Sequence, residues 1–309
     1  MMIHVFLRGR LGNQLFQYAF IRLLQHYNPG VKAIYHFDEV YSAGAKEQDF
    51  INALEGFNTV GVNEEKISPN LNLIQRITLR LYFSRFPHSA PIDVRTKYQM
   101  RWIRWMEHVG LYYLDLGYYD FKKQLPNHDV IVTGNFESER YFKEIAPQIL
   151  QELKPVKPLS QNNQKLAELM HNTNSVSLCI RRGDFVEDPD VNNLHNVCTQ
   201  AYYRNAVEYI KQHVDTPVLF IFSNDIQWVK DNIDFGLETY YESGKNPSWE
   251  TLELMSNCKH FIISNSSYNW WAQYKGTYKD KIVVAPERWF NNPLIPDIFL
   301  DSWVKLPVS

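Results

Sequence analysis

The 309 residues exceed what one core usually spans, so two domains are expected, and a composition 45% hydrophobic and 15% aromatic can bury both. A formal net charge of −2 with no basic block argues against a dedicated nucleic-acid binder. Three widely spaced cysteines, Cys179, Cys198 and Cys258, argue against a disulfide framework and for a reducing compartment.

In chain order, Met2–Leu7 reads as a buried strand, short, apolar and ended by the loop Arg8-Gly9-Arg10-Leu11-Gly12. This apolar run is too short for the core of a signal peptide, and Arg8 and Arg10 stand on its wrong side. No stretch approaches the ~18 apolar residues of a transmembrane helix. The expected setting is cytoplasmic, with at most peripheral contact at the inner membrane face. From Gly12, residues Leu15, Phe16, Ala19, Phe20, Leu23, Leu24 and Tyr27 recur at helical spacing until Asn28-Pro29-Gly30 stops the pattern. Lys32–Phe37 is a second strand, and this βαβ opening predicts a parallel sheet. Residues 70–125, rich in Arg, Tyr and Trp, are assigned helices plus irregular structure. Asp129–Thr133 is a strand and Glu139–Leu153 a helix. The connector Lys154-Pro155-Val156-Lys157-Pro158 sets the expected domains at 1–157 and 158–309. Ser160 is placed to cap the helix Gln161–His171.

Beyond the connector the alternation resumes: strand Val176–Ile180, helix Ala201–Gln212, strand Pro217–Phe222, helix Ile226–Asn232, short strand Glu238–Tyr241. Helix Trp249–Ser256, strand His260–Ile263, helix Tyr268–Tyr274 and a last strand, Lys281–Ala285, complete it. The fold class is α/β, two Rossmann-like domains facing across a cleft, with ligands expected at strand carboxyl ends.

Three strands of the second half run into polar clusters: Arg181-Arg182-Gly183-Asp184, Ser223-Asn224-Asp225, and Ser264-Asn265-Ser266-Ser267. Parallel strands with such ends form one lined rim. Hydroxyls and free amides before the helix at Tyr268 favour an anion, and an arginine on a neighbouring strand end can bridge a diphosphate. The bland readings are a helix N-cap for the Ser/Asn clusters, a surface ion-pair set for the arginines and core packing for Trp270 and Trp271. Three polar strand ends in one domain favour the ligand. Other chemistries lack their signatures: no HExxH, CxxC or G-x-S-x-G occurs. RGRLGNQLFQ (8–17) is neither a Walker loop nor a dinucleotide loop, since Gly9 and Gly12 give only G-x-x-G.

RGRLGNQLFQYAF (8–20), CIRRGDF (179–185), FSNDIQW (222–228), LELMSNCKHFIISNSSYNWWAQY (252–274) and VVAPERWF (283–290) together resemble glycosyltransferase family 11, the α-1,2-fucosyltransferases of bacteria and animals. GNFESERYF (134–142) is similar to a further stretch of that family. The matches run in order along nearly the whole chain, and the absence of an N-terminal anchor makes the resemblance one to the bacterial type.

The resemblance implies a GT-B architecture, GDP-fucose as donor, inversion at the fucose anomeric carbon, and no metal or other cofactor. It implies a β-galactoside-terminated oligosaccharide or lipid-linked glycan as acceptor, held mainly by the N-terminal domain, and no nucleic acid. Arg181 inherits the contact to the donor diphosphate, and Arg182 the structural place. Arg181 and Asp184 are the catalytic candidates. Ser223, Asn224, Asp225, Ser266, Ser267 and Tyr268 are expected on the donor. Gly12, Asn13 and Gln14 are expected to reach the diphosphate or acceptor from the N-terminal domain, the alternative for Asn13 being a local cap. The family's histidine position is Cys179 here, which implies a supportive position without proton transfer. Asp184, Asp225, Glu137 and Glu139 remain open as the base, with Asp225 an alternative holder of guanine or ribose. Two other readings stay open: a GDP-fucose enzyme of different linkage, and a non-catalytic nucleotide- or glycan-binding module.

Overall fold

The computed structural model describes residues 1–44, 50–64, 66–181, 193–292 and 294–309. The chain divides into two compact units: Met1–Lys154 with Pro296–Ile298, and Pro155–Ile295 with Phe299–Ser309.

Unit 1 is built on four parallel strands in the order β2-β1-β4-β3, namely β1 (Met2–Phe6), β2 (Lys32–His36), β3 (Leu111–Leu114) and β4 (Val130–Gly134). Helix α1 (Leu11–Tyr27) is buried along most of its length, because its apolar positions cover more than one face. Asn28 ends it, its side-chain amide donating to the Leu24 carbonyl at 2.7 Å. A short helix, α2 (Asp38–Gly44), follows β2.

The arginine- and tryptophan-rich tract contains α3 (Leu73–Ser84) and α4 (Ile92–His108), then β3. Tyr82, fully buried, ties them together against Trp102, Tyr98 and Tyr113, with ring centroids 5.3 to 5.9 Å away. Core packing thus accounts for these aromatics. The strand β3 went unforeseen: four residues, all buried, carry no alternation to read. The single helix expected over Glu139–Leu153 is instead two short turns, Glu139–Tyr141 and Lys143–Ile145, followed by α5 (Ala146–Glu152). Pro147 explains this, because a proline is tolerated only in the first turn and so sets where the α-helix starts.

Unit 2 carries six parallel strands in the order β10-β9-β8-β5-β6-β7. They are β5 (Asn174–Ile180), β6 (Pro217–Ser223), β7 (Thr239–Tyr241), β8 (His260–Ile262), β9 (Val283–Pro286) and β10 (Val304–Leu306). Helices among the described residues include α6 (Gln161–Asn172), α7 (Gln200–His213), α8 (Ile226–Asn232), α9 (Ser248–Ser256) and α10 (Ser267–Lys275). Helix α7 packs Tyr202, Ala206, Val207 and Ile210 into a core shared with Val176, Leu178, Leu219 and Ile221. The last strand is β10, not the segment at Lys281–Ala285; three residues added at a sheet edge leave too little pattern to detect. Ser160 stands at the N-cap of α6 but makes no side-chain cap bond there; its N–H donates to the Glu250 carboxylate at 2.5 Å.

Candidate functional site

In unit 2 the three polar strand ends are neighbours. Register places Ile180 opposite Ser223 and Leu178 opposite Ile262, so the segments after β6, β5 and β8 leave the sheet at one level. Strands lie about 4.8 Å apart, which makes this a rim roughly 10 Å wide. Arg181 follows β5 and is half-buried. Ser223 accepts the Asp225 N–H at 3.0 Å, and Asp225 accepts the Trp228 N–H at 3.2 Å, which caps α8. Asn224 between them is exposed. Ser266 occupies the N-cap of α10 without a side-chain cap bond, so capping does not explain its hydroxyl; Ser267 follows as the first helical residue. The rim therefore gathers Arg181, Ser223, Asn224, Asp225, Ser266 and Ser267. Tyr268 is half-buried in the first turn of α10, and its hydroxyl donates to the Ser248 carbonyl at 2.6 Å, which braces α9. Asp184, the other catalytic candidate, lies outside the described residues, as does Arg182.

Residues behind the rim hold it. Buried Asn265 donates to the carbonyls of His195 and Trp289 at 2.8 and 2.9 Å. Asn269 donates to the Ser264 hydroxyl at 2.6 Å. Burial pushes the Cys179 thiol up to about 11, against the opposing pull of Asn269 and the Arg181 charge, so the thiol stays protonated at neutral pH. Trp270 and Trp271 are fully buried core, their rings 5.2 Å apart. Glu242, just past β7, escaped the sequence reading. It is buried and accepts from the Gly244 N–H at 2.8 Å, the Ser243 hydroxyl at 3.2 Å and the Asn246 amide, which fixes the loop beside β6.

In unit 1 the loop after β1 is held by the amides of α1. Gln17 clamps Arg8, accepting its N–H and donating to its carbonyl, both at 3.0 Å. Gln14 donates to the carbonyls of Gly9 and Ile51 at 3.0 and 2.9 Å and accepts the Ala53 N–H at 3.0 Å. Fully buried and with both ends of its amide engaged, Gln14 is a structural strut, which corrects its expected place on the ligand. Gly12 is buried within the first turn of α1. Gly9 must be glycine twice over: its φ is +72°, and a Cβ there would lie 2.8 Å from the Asn13 side-chain oxygen.

Asn13 points elsewhere: its amide donates to Glu137 at 2.9 Å. The turn that delivers Glu137 begins at Gly134, where a Cβ would fall 2.0 Å from the Leu114 carbonyl. Phe136 then adopts φ 51°, rare for a large side chain, and is held there by stacking on Phe20 with centroids 4.2 Å apart. Burial alone raises the Glu137 carboxyl to about 7. Across the strand ends, Arg8 donates to Asp115 at 2.6 Å and to Thr133 at 3.0 Å. Glu139, another open base, lies 3.5 Å from Lys143 as an ion pair. Among the described residues no three His, Cys, Asp or Glu side chains converge as metal ligands, and no helix is long and apolar enough to cross a membrane.

The sequence profile of glycosyl transferase family 11 matches residues 2–307. The O-antigen biosynthesis glycosyltransferase WbnK of Escherichia coli is 27% identical over 318 residues, 97% of this chain and 99% of that one. An α-1,2-colitosyltransferase of E. coli is 32% identical over 181 residues, 56% of this chain and 61% of that one. Human galactoside α-(1,2)-fucosyltransferase 1 is 28% identical over 139 residues, 42% of this chain and 38% of that one. The solved structure of NodZ α-1,6-fucosyltransferase soaked with GDP-fucose covers 88% of this chain and 92% of its own, at TM-score 0.50 and 11% identity. That likeness shows the fold, GT-B-like with parallel sheets. The match across the chain and these relatives identify a glycosyltransferase of fucosyltransferase type that belongs to glycosyltransferase family 11.

Proposed function

We propose that the chain transfers L-fucose from GDP-fucose to the 2-hydroxyl of a terminal β-galactoside, on an oligosaccharide or lipid-linked glycan, with inversion at the anomeric carbon. The observation that carries this reading is the alignment of Arg181 with the Ser266-Ser267 head of α10 on one sheet edge. A diphosphate there meets a guanidinium suited to two parallel hydrogen bonds and the positive end of a helix dipole. The Ser223-Asn224-Asp225 corner takes the nucleoside side of the donor.

As the bond from fucose C1 to the β-phosphate oxygen breaks, the electron pair leaves with GDP. Arg181, the two serine hydroxyls and the α10 amides stabilise the charge that develops on the leaving diphosphate. The acceptor oxygen forms the new bond to C1 and loses its proton. A base takes that proton; of the open candidates Glu137 is the one we favour, because its carboxyl, raised to about 7 by burial and oriented by Asn13, is suited to a base working near neutrality. The reading requires no resident metal, since arginine and backbone donors supply the charge. The acceptor is assigned to unit 1 and the donor to unit 2.

The test is an incubation of the purified chain with GDP-fucose, with and without lactose. Galactoside-dependent release of GDP and an α-1,2-linked product are expected. Release without linkage 1,2 would reassign the linkage, and no release would favour a binding module. The α-1,2-colitosyltransferase relative supports a second donor reading, so GDP-colitose belongs in the same assay as a competing donor.

A further inference from the structure

Helix α3 is inside out. Its buried face carries Gln75, Thr78 and Tyr82, while Leu73, Ile74, Ile77 and Leu81 stand outward with 71%, 55%, 49% and 44% of their surfaces exposed. Positions 73, 77 and 81, with 74 beside them, form one stripe at helical spacing. The polar face is committed to the protein. Gln75 completes a capping box with Asn72 and donates to the Asp129 carbonyl at 2.9 Å. Thr78 accepts the Trp105 indole N–H at 3.0 Å, and Tyr82 sits in the aromatic cluster with Trp102. The helix cannot roll its aliphatic stripe inward without breaking these bonds. Trp105, anchored in this way, is still 49% exposed beside α3.

The stripe has a cationic border. Arg76 and Arg80 flank it on α3, and α4 exposes Lys97, Arg101 and Arg104. Residues 73–108 hold seven arginines and lysines against two acids, in a chain whose net charge is −2. Both acids are occupied: Asp93 lies 3.4 Å from Lys97, and Glu107 accepts from the Tyr119 hydroxyl and the Lys122 N–H. A shallow recess beside Trp105 adds Lys122 to Arg104 and His108 on its walls.

We propose that the outward face of α3, with Trp105 and the basic edge of α4, docks on an anionic phospholipid surface. Aliphatic side chains enter the interface between headgroups and acyl chains, the indole lies at headgroup depth, and the arginines meet lipid phosphates. A second protein's surface would not call for this surplus of positive charge around an apolar stripe, which is why the lipid is the occupant chosen. The proposal is independent of the identity of the sugar transferred.

The test is co-sedimentation of the full chain with phosphatidylcholine vesicles and with vesicles containing about one-third phosphatidylglycerol. Binding is expected only to the anionic vesicles, weakening as salt rises, with a blue shift in tryptophan emission that W105F reduces. The double variant I77D/L81D should lower binding at least ~10-fold with its melting temperature kept, because both positions are exposed. R101Q/R104Q should weaken it on the order of 10-fold, more at low salt than at high. Transfer to free lactose should be unchanged in both variants. Absence of binding to anionic vesicles at low salt, or equal binding by I77D/L81D, would overturn the proposal. So would a concentration-dependent dimer that I77D/L81D abolishes, which would assign the face to a second copy.

Discussion

At the carboxyl edge of the six-stranded sheet, Arg181 and two serine hydroxyls stand beside a helix start, so donors and positive charge dominate. At the same edge of the four-stranded sheet, Arg8 is already paired with Asp115, and a carboxyl, Glu137, has its proton affinity raised to about 7. The hardware is alike: parallel strands, with β1 and β8 each followed by a turn and a helix. The segment after the strand decides the chemistry. In unit 2 the turn ends in a helix whose N-cap side chain makes no cap bond, and its dipole invites an anion. In unit 1 the amides of Gln14 and Gln17 already satisfy the loop, and what remains is a half-buried acid of raised proton affinity. Under the proposed function, one fold would offer a leaving-group site and an acceptor site from the same architectural position.

Replacing the base candidate has the largest expected effect. Glu137→Gln should lower kcat by about 10²- to 10³-fold while leaving GDP affinity unchanged. The wild-type rate should rise with pH through a limb near 7, because the carboxylate is the active form, and the variant should lose that limb. Stability moves the other way. The folded state holds this proton up to about pH 7, whereas the unfolded chain releases it near the ordinary carboxylate value of 4.5. The group's contribution is therefore most favourable below that value and is lost as pH rises through 7. Glu137→Gln should accordingly melt a few degrees above wild type at pH 8 and show little difference at pH 4. A variant with an intact limb would remove Glu137 from the reaction and undo the contrast between the rims.

Arg181→Ala comes next, with kcat/KM lowered at least ~100-fold and GDP binding weakened, its circular dichroism unchanged. The two variants should fail differently, one in GDP binding and one in the pH profile. Kinetics within a few-fold of wild type would withdraw Arg181 from the diphosphate. Asn13→Ala should cost less, about 10-fold in kcat with GDP affinity retained, and should move the limb upward, since the amide that favours the carboxylate is gone. A loss confined to GDP affinity would place Asn13 on the donor.

Much of this architecture was legible from local pattern. Alternating short apolar runs and amphipathic helices marked the parallel sheets, and the polar segments after three strands marked the unit 2 rim. What stayed hidden depends on long-range geometry. Asn13 and Glu137 are 124 positions apart, so neither residue type announces the pair; only the kink at Gly134 and Phe136 brings them together. Gln14 looked like a ligand contact because an amide at a helix start satisfies a substrate or a loop equally well. Periodicity identified helical tracts, but in α3 it cannot say which face turns inward, and there the polar face does. The strands β3 and β10 were too short to carry a period at all.

The smallest effect belongs to Cys179, and it tests whether the two rims divide the labour. With its thiol raised to about 11 by burial, Cys179 carries no charge at working pH, so Cys179→Ser should change kcat/KM by no more than about threefold and leave the limb near 7 in place. Cys179→His introduces a group that titrates close to that limb, which confuses the two in wild-type background. In the Glu137→Gln background the confusion disappears, because no other limb is expected there. A flat profile for the double variant means that position 179 supports the Arg181 strand end and moves no proton. A limb that returns with the histidine would show that the unit 2 rim can also supply the base, and the separation of donor charge from acceptor proton would be a property of this sequence, not of the fold.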